Sequence, residues 1–331
     1  LAKLSNFVPA GGIWMNTQRP EWNDANNALV GYGLSMVTLY QLRAYLDYLR
    51  RLVASANIAV DMSHEVADWL GATIDILAAD PDRAITDQGR KKFMDALGTA
   101  FSDYRSSIYD HGFTGTTSLD VSDVARLCEV AIAHLDGTIA TSRRDDGLYD
   151  SYNLVHISND HQAASIESLG EMLEGQVAVI ESGVLDADQC ADVVDALFES
   201  EMYRADQHTF MLYPARRLPS FLERNIVPAP EVKGNPLLSK LLAEGAETII
   251  TRDEDGNFRF GADLTTQEIL EEHLDVLAGE DSYRDIVRSH RQATIDAYRR
   301  VFGHHSYTGR SGSMYGYEGL GSVYWHMVAK L

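Results

Sequence analysis

The residues best suited to chemistry in this chain lie in two short runs near its ends. The first, NTQRPEWNDANNALVG at positions 16–31, holds Arg19, the carboxylates Glu21 and Asp24, the Trp22 indole and four Asn, and leads into the apolar run LSMVTLYQLRAYLDYL. Asn and Asp cap helices, and a Trp buried beneath them would be structural. A cap, however, needs one such residue. Arg19, Glu21, Trp22, Asn23, Asp24, Asn26 and Asn27 together offer donors, acceptors and an aromatic face, the equipment for holding a polar ligand.

The second run, HHSYTGRSGSMYGYEGLGS at 304–322, contains five Gly, three Tyr, Arg310 and Glu318. Glycine lets a ligand approach the backbone closely, so Thr308, Gly309, Arg310, Ser311 and Gly312 can present N–H groups and a guanidinium to an anion such as phosphate. The alternative is a flexible Gly/Ser loop, which would leave Tyr307, Tyr315 and Tyr317 exposed at a cost. The glycine spacing and the missing Lys exclude a P-loop.

Helical periodicity supplies the elements that must position these runs. Apolar residues recur at intervals of three and four over 33–54, 59–79, 91–109, 121–138, 162–182, 187–202, 265–278, 282–302 and 317–330, each span reading as a helix. Starts are expected at Ser122 or Asp123, at Asp186, and at Thr265 with Glu268 at capping-box spacing. Strand signals are few: 247–261 reads as a hairpin about Asp255-Gly256, and 149–158 as a short extended piece. The Pro-rich stretch 214–236 reads as a long loop inside a single domain spanning 1–331. Long helices joined by polar, aromatic loops fit a ring of helical hairpins whose loops at one end build the site. Residues 16–27 and 304–318 are expected to meet there.

Composition bounds the function. With 331 residues, 45% of them hydrophobic and 23% charged, the chain is globular, and 28 Lys+Arg against 49 Asp+Glu give a formal charge of -21. Such a charge repels phosphate backbones and anionic membranes, so neither nucleic acid nor membrane is an expected partner. No apolar stretch approaches the roughly 20 residues that span a bilayer. The N-terminus LAKLSNFVPAGG lacks the form of a signal peptide, and the expectation is a cytoplasmic protein. Because the chain begins without Met and ends at WHMVAKL within an apolar pattern, it is expected to be part of a longer one. Cys128 and Cys190 read as buried thiols rather than a disulfide or a zinc site. His156, Asp160 and His161 follow no metal-ligand pattern, and no metal is expected. Tyr213, Arg216 and Arg217 read as a solvated loop, and His64 and His208 as surface or cap residues.

EWND followed by an Asn and a long apolar helix resembles the DWND segment of the inverting glycoside phosphorylases of the cellobiose and chitobiose phosphorylase type, in which the Asp after Trp-Asn is the general acid. Late in the same catalytic domain those enzymes carry a Tyr-Thr-Gly-Ser-Ala-Gly-Trp-Met-Tyr-like loop that helps hold phosphate. Tyr307-Thr308-Gly309-Arg310-Ser311-Gly312-Ser313-Met314-Tyr315 is similar to it, in the same order along the chain. Glu21 stands here where the family has its first Asp, and Ser313 where it has Trp.

The resemblance implies an all-α fold, an (α/α)6 toroid incomplete at its N-terminus with a small β-hairpin insertion, and cleavage of a glycosidic bond with inversion. It makes Asp24 the acid, held protonated by burial against Trp22 and by nearby Glu21. Arg19, Glu21, Trp22, Asn23, Asn27, Tyr315 and Tyr317 become expected sugar contacts. His305, Thr308, Gly309, Arg310 and Ser311 become the expected phosphate set, with His156 and His161 as the other source of the family's phosphate-holding His. Inorganic phosphate would be a co-substrate, with no cofactor and no catalytic base. If water attacks instead, a second carboxylate must activate it, and Glu318 is the candidate, unless it is merely a first-turn helix acid. The expected partner is an oligosaccharide, with a homodimer admitted. A catalytically silent carbohydrate-binding or scaffold protein is the third reading.

Overall fold

The computed structural model describes residues 1–16, 29–54, 56, 58–79, 86–214, 220–303 and 327–331. The chain divides into two compact units: Leu1–Ala215 with Tyr317–Leu331, and Arg216–Gly316. The stretch 214–236, expected as a loop within one domain, contains the passage from the first unit to the second. Its described part also holds two short helices, Phe221–Arg224 and Ala229–Gly234, in place of a plain loop.

In the first unit a 3-10 turn (Leu4–Asn6) precedes β1 (Phe7–Val8), β2 (Gly12–Trp14) and β3 (Gly33–Ser35). Helix α1 (Met36–Val53) follows at once, because Ser35 leaves the strand with an extended backbone and its hydroxyl accepts from the Thr38 N–H at 3.0 Å, an N-cap. Then come β4 (Ala59–Ser63), α2 (His64–Ala78), α3 (Asp87–His111), β5 (Thr116–Asp120), α4 (Val121–Thr141), β6 (Tyr152–Ile157), β7 (Ala164–Ser168), α5 (Leu173–Glu181), α6 (Ala187–Glu199) and the two-residue strands β8 (Tyr203–Arg204) and β9 (Thr209–Phe210). Asp120 caps α4, slightly earlier than expected, and α6 starts at Asp186 as expected, where Asp186 also forms a capping box with Gln189.

The all-α toroid is not what forms. An antiparallel five-stranded sheet, in the order β1-β2-β3-β6-β7, joins the helices in a mixed α/β unit. The physical reason lies in the strands themselves. β3 is buried along its whole length and β6 over its first four residues, so neither shows the alternation that marks a half-buried strand. β4 runs without a break into α2, and β7 stands a few residues before α5, so apolar spacing alone merges each pair into one helix over 59–79 and 162–182. The extended piece expected at 149–158 is β6.

Buried polar ties fix the layers. Arg43 on α1 bonds Asp136 on α4 at 2.9 Å and the Ser182 carbonyl beyond α5 at 3.1 Å. Tyr40, fully buried, donates to the Asp150 carbonyl at 2.9 Å. Arg90 on α3 is 6% exposed and donates to the carbonyls of Pro9 at 2.8 Å and Ala164 at 2.6 Å, fastening α3 to the turn after β1 and to the start of β7.

The second unit holds α7 (Phe221–Arg224), α8 (Ala229–Gly234), α9 (Pro236–Glu244), β10 (Ile250–Arg252), β11 (Phe258–Phe260), α10 (Gln267–Ala278) and α11 (Arg284–Phe302). β10 and β11 are the expected hairpin, with Gly256 at φ 88° in its turn. Thr266, one residue past the expected position, caps α10. The unit has its own core, in which Leu237, Leu241, Ile249, Phe260, Leu270, Leu274 and Tyr298 pack together. Buried Asn225 pairs with both backbone groups of Phe260, and Asn235 caps α9 while donating to Thr294 at 2.9 Å.

Candidate functional site

The residues of the two runs expected to carry chemistry lie outside the described residues: Arg19, Glu21, Trp22, Asn23, Asp24 and Asn27 in the first run, and His305, Thr308, Gly309, Arg310, Ser311, Tyr315, Tyr317 and Glu318 in the second. Arg216 and Arg217 lie outside them too. What the structure places is the frame that holds the first run.

The run does not lead straight into a helix. Its flanks are paired strands: Trp14 is in register with Leu34, Met15 donates its N–H to the Gly33 carbonyl at 2.9 Å, and Gly31 donates back to Met15 at 2.7 Å. The Trp14 indole N–H is committed to the Gly31 carbonyl at 3.1 Å. The two ends of the run are thus fastened to each other, and α1 starts only at Met36. Gly33 is needed in this closure. A Cβ there would lie 2.3 Å from Leu29 Cβ, 2.7 Å from Met15 Cε and 2.8 Å from the Leu29 carbonyl oxygen.

Beside this frame is a cavity of about 380 Å³. One wall is α3, through Met94, Gly98, Phe101, Ser102 and Arg105, spaced to fall on one helical face. The other is the chain's beginning, through Ser5, Asn6, Phe7, Val8, Trp14 and Asn16. Asn16 Nδ2 donates to Asn6 Oδ1 at 2.7 Å, and Asn6 Nδ2 to the Ala2 carbonyl at 3.0 Å. Phe101 stacks on Trp69 with centroids 5.0 Å apart, and the Arg105 guanidinium lies 5.7 Å from the Phe101 ring centroid. Phe7, Val8 and Met94 are buried, whereas Asn16, Ser102 and Arg105 are exposed at the rim.

A second polar group sits at the other end of β3. Arg144 reaches Glu171 at 3.1 Å and Asp150 at 3.7 Å, Ser168 donates to Asp150 at 2.7 Å, and the Tyr152 hydroxyl donates to Glu174 at 2.9 Å. Burial pushes the Glu174 carboxyl above the usual carboxylate range, and the Tyr152 bond pulls it back in part. Burial likewise raises Asp150, opposed by Ser168 and Arg144. These carboxyls were not legible as a group, because residues 144–174 bring them together through the β6–β7 pairing. The register sets Tyr152 against Ser35 and Leu154 against Gly33, so this cluster and the frame of the first run occupy opposite ends of β3.

The remaining expected residues have structural places. His156 pairs with Glu167 at 2.8 Å on the exposed edge of β6–β7. Asp160 accepts from the Ser158 hydroxyl and from the Gln162 N–H in the connecting turn, where His161 takes φ 57°. His64 opens α2, and His208 sits at φ 49° between β8 and β9. Cys128 is buried and Cys190 partly buried, both as free thiols. Among the described residues no group of three or more His, Cys, Asp or Glu is arranged to hold a metal, and no helix is long and apolar enough to cross a membrane.

Residues 218–305 match the GH149 phosphorylase insertion domain 2. The matched span lies within the second unit, Arg216–Gly316, and takes in nearly all of it. No curated protein matches the chain. The match relates the chain to glycoside phosphorylases and supports a carbohydrate-active enzyme, a phosphorylase or hydrolase of glycosides.

Proposed function

We propose that the protein cleaves a glycosidic bond of an oligosaccharide by phosphorolysis, with inversion at the anomeric carbon. The observation that carries this reading is the phosphorylase insertion-domain match over 218–305. In chain order it falls between the EWND run and the Tyr307–Tyr315 run, whose residue pattern is similar to a phosphate-holding loop. Two short motifs and a domain match then point to the same chemistry.

In this reading a phosphate oxygen attacks the anomeric carbon as the bond from that carbon to the leaving oxygen breaks, and Asp24 gives its proton to that oxygen. The products are a sugar 1-phosphate of inverted configuration and a shortened saccharide. His305, Thr308, Gly309, Arg310 and Ser311 hold the phosphate, which needs no base because it is already anionic. Arg19, Glu21, Trp22, Asn23, Asn27, Tyr315 and Tyr317 hold the sugar, rings against its apolar faces and amides on its hydroxyls.

Asp24→Asn tests the assignment. It keeps the volume and removes the proton donor, so activity on ordinary glycosides is expected to fall about 10²–10⁴-fold. Glycosyl fluorides, whose leaving group needs no proton, should retain far more. Equal loss on both kinds of substrate argues against the role, and unchanged activity ends it.

A further inference from the structure

We propose that the cavity between α3 and the N-terminal strands is a saccharide-binding site, selective for short neutral sugars. Its volume of about 380 Å³ falls at the lower end of the roughly 300–1,000 Å³ typical of small-molecule sites, which suits one or two sugar rings. The floor is apolar and aromatic. Trp14 has already spent its N–H on Gly31, so its ring face is what it has left to offer. The rim is polar: among the described residues Asn16 uses one N–H, toward Asn6, and its Oδ1 and the Ser102 hydroxyl meet no hydrogen-bond partner there.

Among the described residues no carboxylate lines the cavity, and the cation that does, Arg105, is exposed and lies over the Phe101 and Tyr109 rings. These features select a neutral polyhydroxylated ligand over a phosphate.

Gly98 adds an independent argument. It sits in the interior of the 25-residue helix α3, where Gly costs roughly 1 kcal/mol relative to Ala. A Cβ there meets nothing within 4 Å, so no packing among the described residues requires the glycine. It lines the cavity, and its missing side chain leaves room for a ligand.

The choice of a sugar rests on the reading of the protein as a glycoside-processing enzyme, and the test separates the two. Calorimetric titration of Asp24→Asn protein with a neutral disaccharide, and separately with inorganic phosphate, counts binding equivalents without turnover. Gly98→Leu in that background is expected to fold, to remove one saccharide equivalent or weaken it at least tenfold, and to leave phosphate binding unaltered. Gly98→Ala should change it little. Ser102→Phe, on the same face at an exposed position, is the second blockade should Gly98→Leu fail to fold. If both blocked variants bind the disaccharide as the parent does, or if the cavity takes phosphate alone, the proposal is overturned. Phosphorolysis without a blockable saccharide equivalent refutes the cavity site; a blockable equivalent in a protein without phosphorolysis refutes the proposed function instead.

Discussion

Replacing Arg90 by Met should loosen the wall that α3 presents to the cavity. Arg90 is 6% exposed, and its guanidinium makes two charge-assisted bonds to main-chain carbonyls, at 2.8 Å to Pro9 and 2.6 Å to Ala164, with an ion pair to Asp87 at 2.6 Å. A hydrogen bond to a charged group contributes about 1.5–3 kcal/mol, so the two carbonyl bonds account for roughly 3–6 kcal/mol. The Asp87 pair adds about 0–1 kcal/mol, since its carboxylate is half-exposed. Removing a buried charge returns part of its desolvation cost, and Met retains the packing of the stem. The net loss is about 2–4 kcal/mol, a substantial share of a typical stability of about 5–15 kcal/mol. Urea denaturation followed by far-ultraviolet circular dichroism measures it. A loss below about 1 kcal/mol with an unchanged slope would refute the role of Arg90 as the tie between α3 and the sheet.

Two further outcomes are expected. Gly33→Ala forces a Cβ to 2.3 Å from Leu29 and 2.8 Å from the Leu29 carbonyl, and overpacking of this kind costs about 1–3 kcal/mol; a thermal midpoint equal to the parent's would contradict the account of how the first run is closed. Glu174, raised by burial, binds its proton more tightly in the folded than in the unfolded chain, so its stabilising contribution is present below the unfolded pKa and is lost as pH rises through the folded pKa. Glu174→Gln keeps an acceptor for Tyr152 without the charge. Relative to the parent it should therefore gain stability from acid to neutral pH in paired urea titrations, and a relative loss over that range would refute the reasoning.

The parts of the fold legible in the sequence were those governed by local pattern. Helices α1, α3, α4, α6, α10 and α11 follow apolar residues at helical spacing, and Asp186 with Gln189 caps α6 as such residues do. The hairpin β10–β11 announces itself through Asp255-Gly256. What failed to show was pairing across distance. β3 is three residues of Gly-Leu-Ser buried on all sides, with no periodicity to read, and it becomes a strand only between β2 and β6. β4 and β7 were absorbed into neighbouring helices because Val60, Met62 and Ile166 continue apolar spacing that a helix also satisfies.

The cavity shows the same limit. Phe101, Ser102 and Arg105 fall within the helical span 91–109 and Asn16 within the first run, and no sequence spacing joins the two. Gly98 inside a helical pattern was the available signal. The Asp150 and Glu174 cluster was likewise hidden, since β-pairing and not sequence spacing assembles it. The residues expected to do chemistry came from composition and motif, and they lie outside the described residues.

The most direct test of phosphorolysis is product analysis with and without inorganic phosphate, by proton and phosphorus magnetic resonance. The account predicts that an oligosaccharide is cleaved only when phosphate is added, giving a sugar 1-phosphate with inverted anomeric configuration. Arg310→Ala should raise the phosphate requirement about ten- to hundredfold, the loss of a charge-assisted donor of roughly 1.5–3 kcal/mol, and leave the sugar requirement less changed. Release of free sugar without phosphate, abolished by Glu318→Gln, would contradict it and make Glu318 the base of an inverting hydrolase.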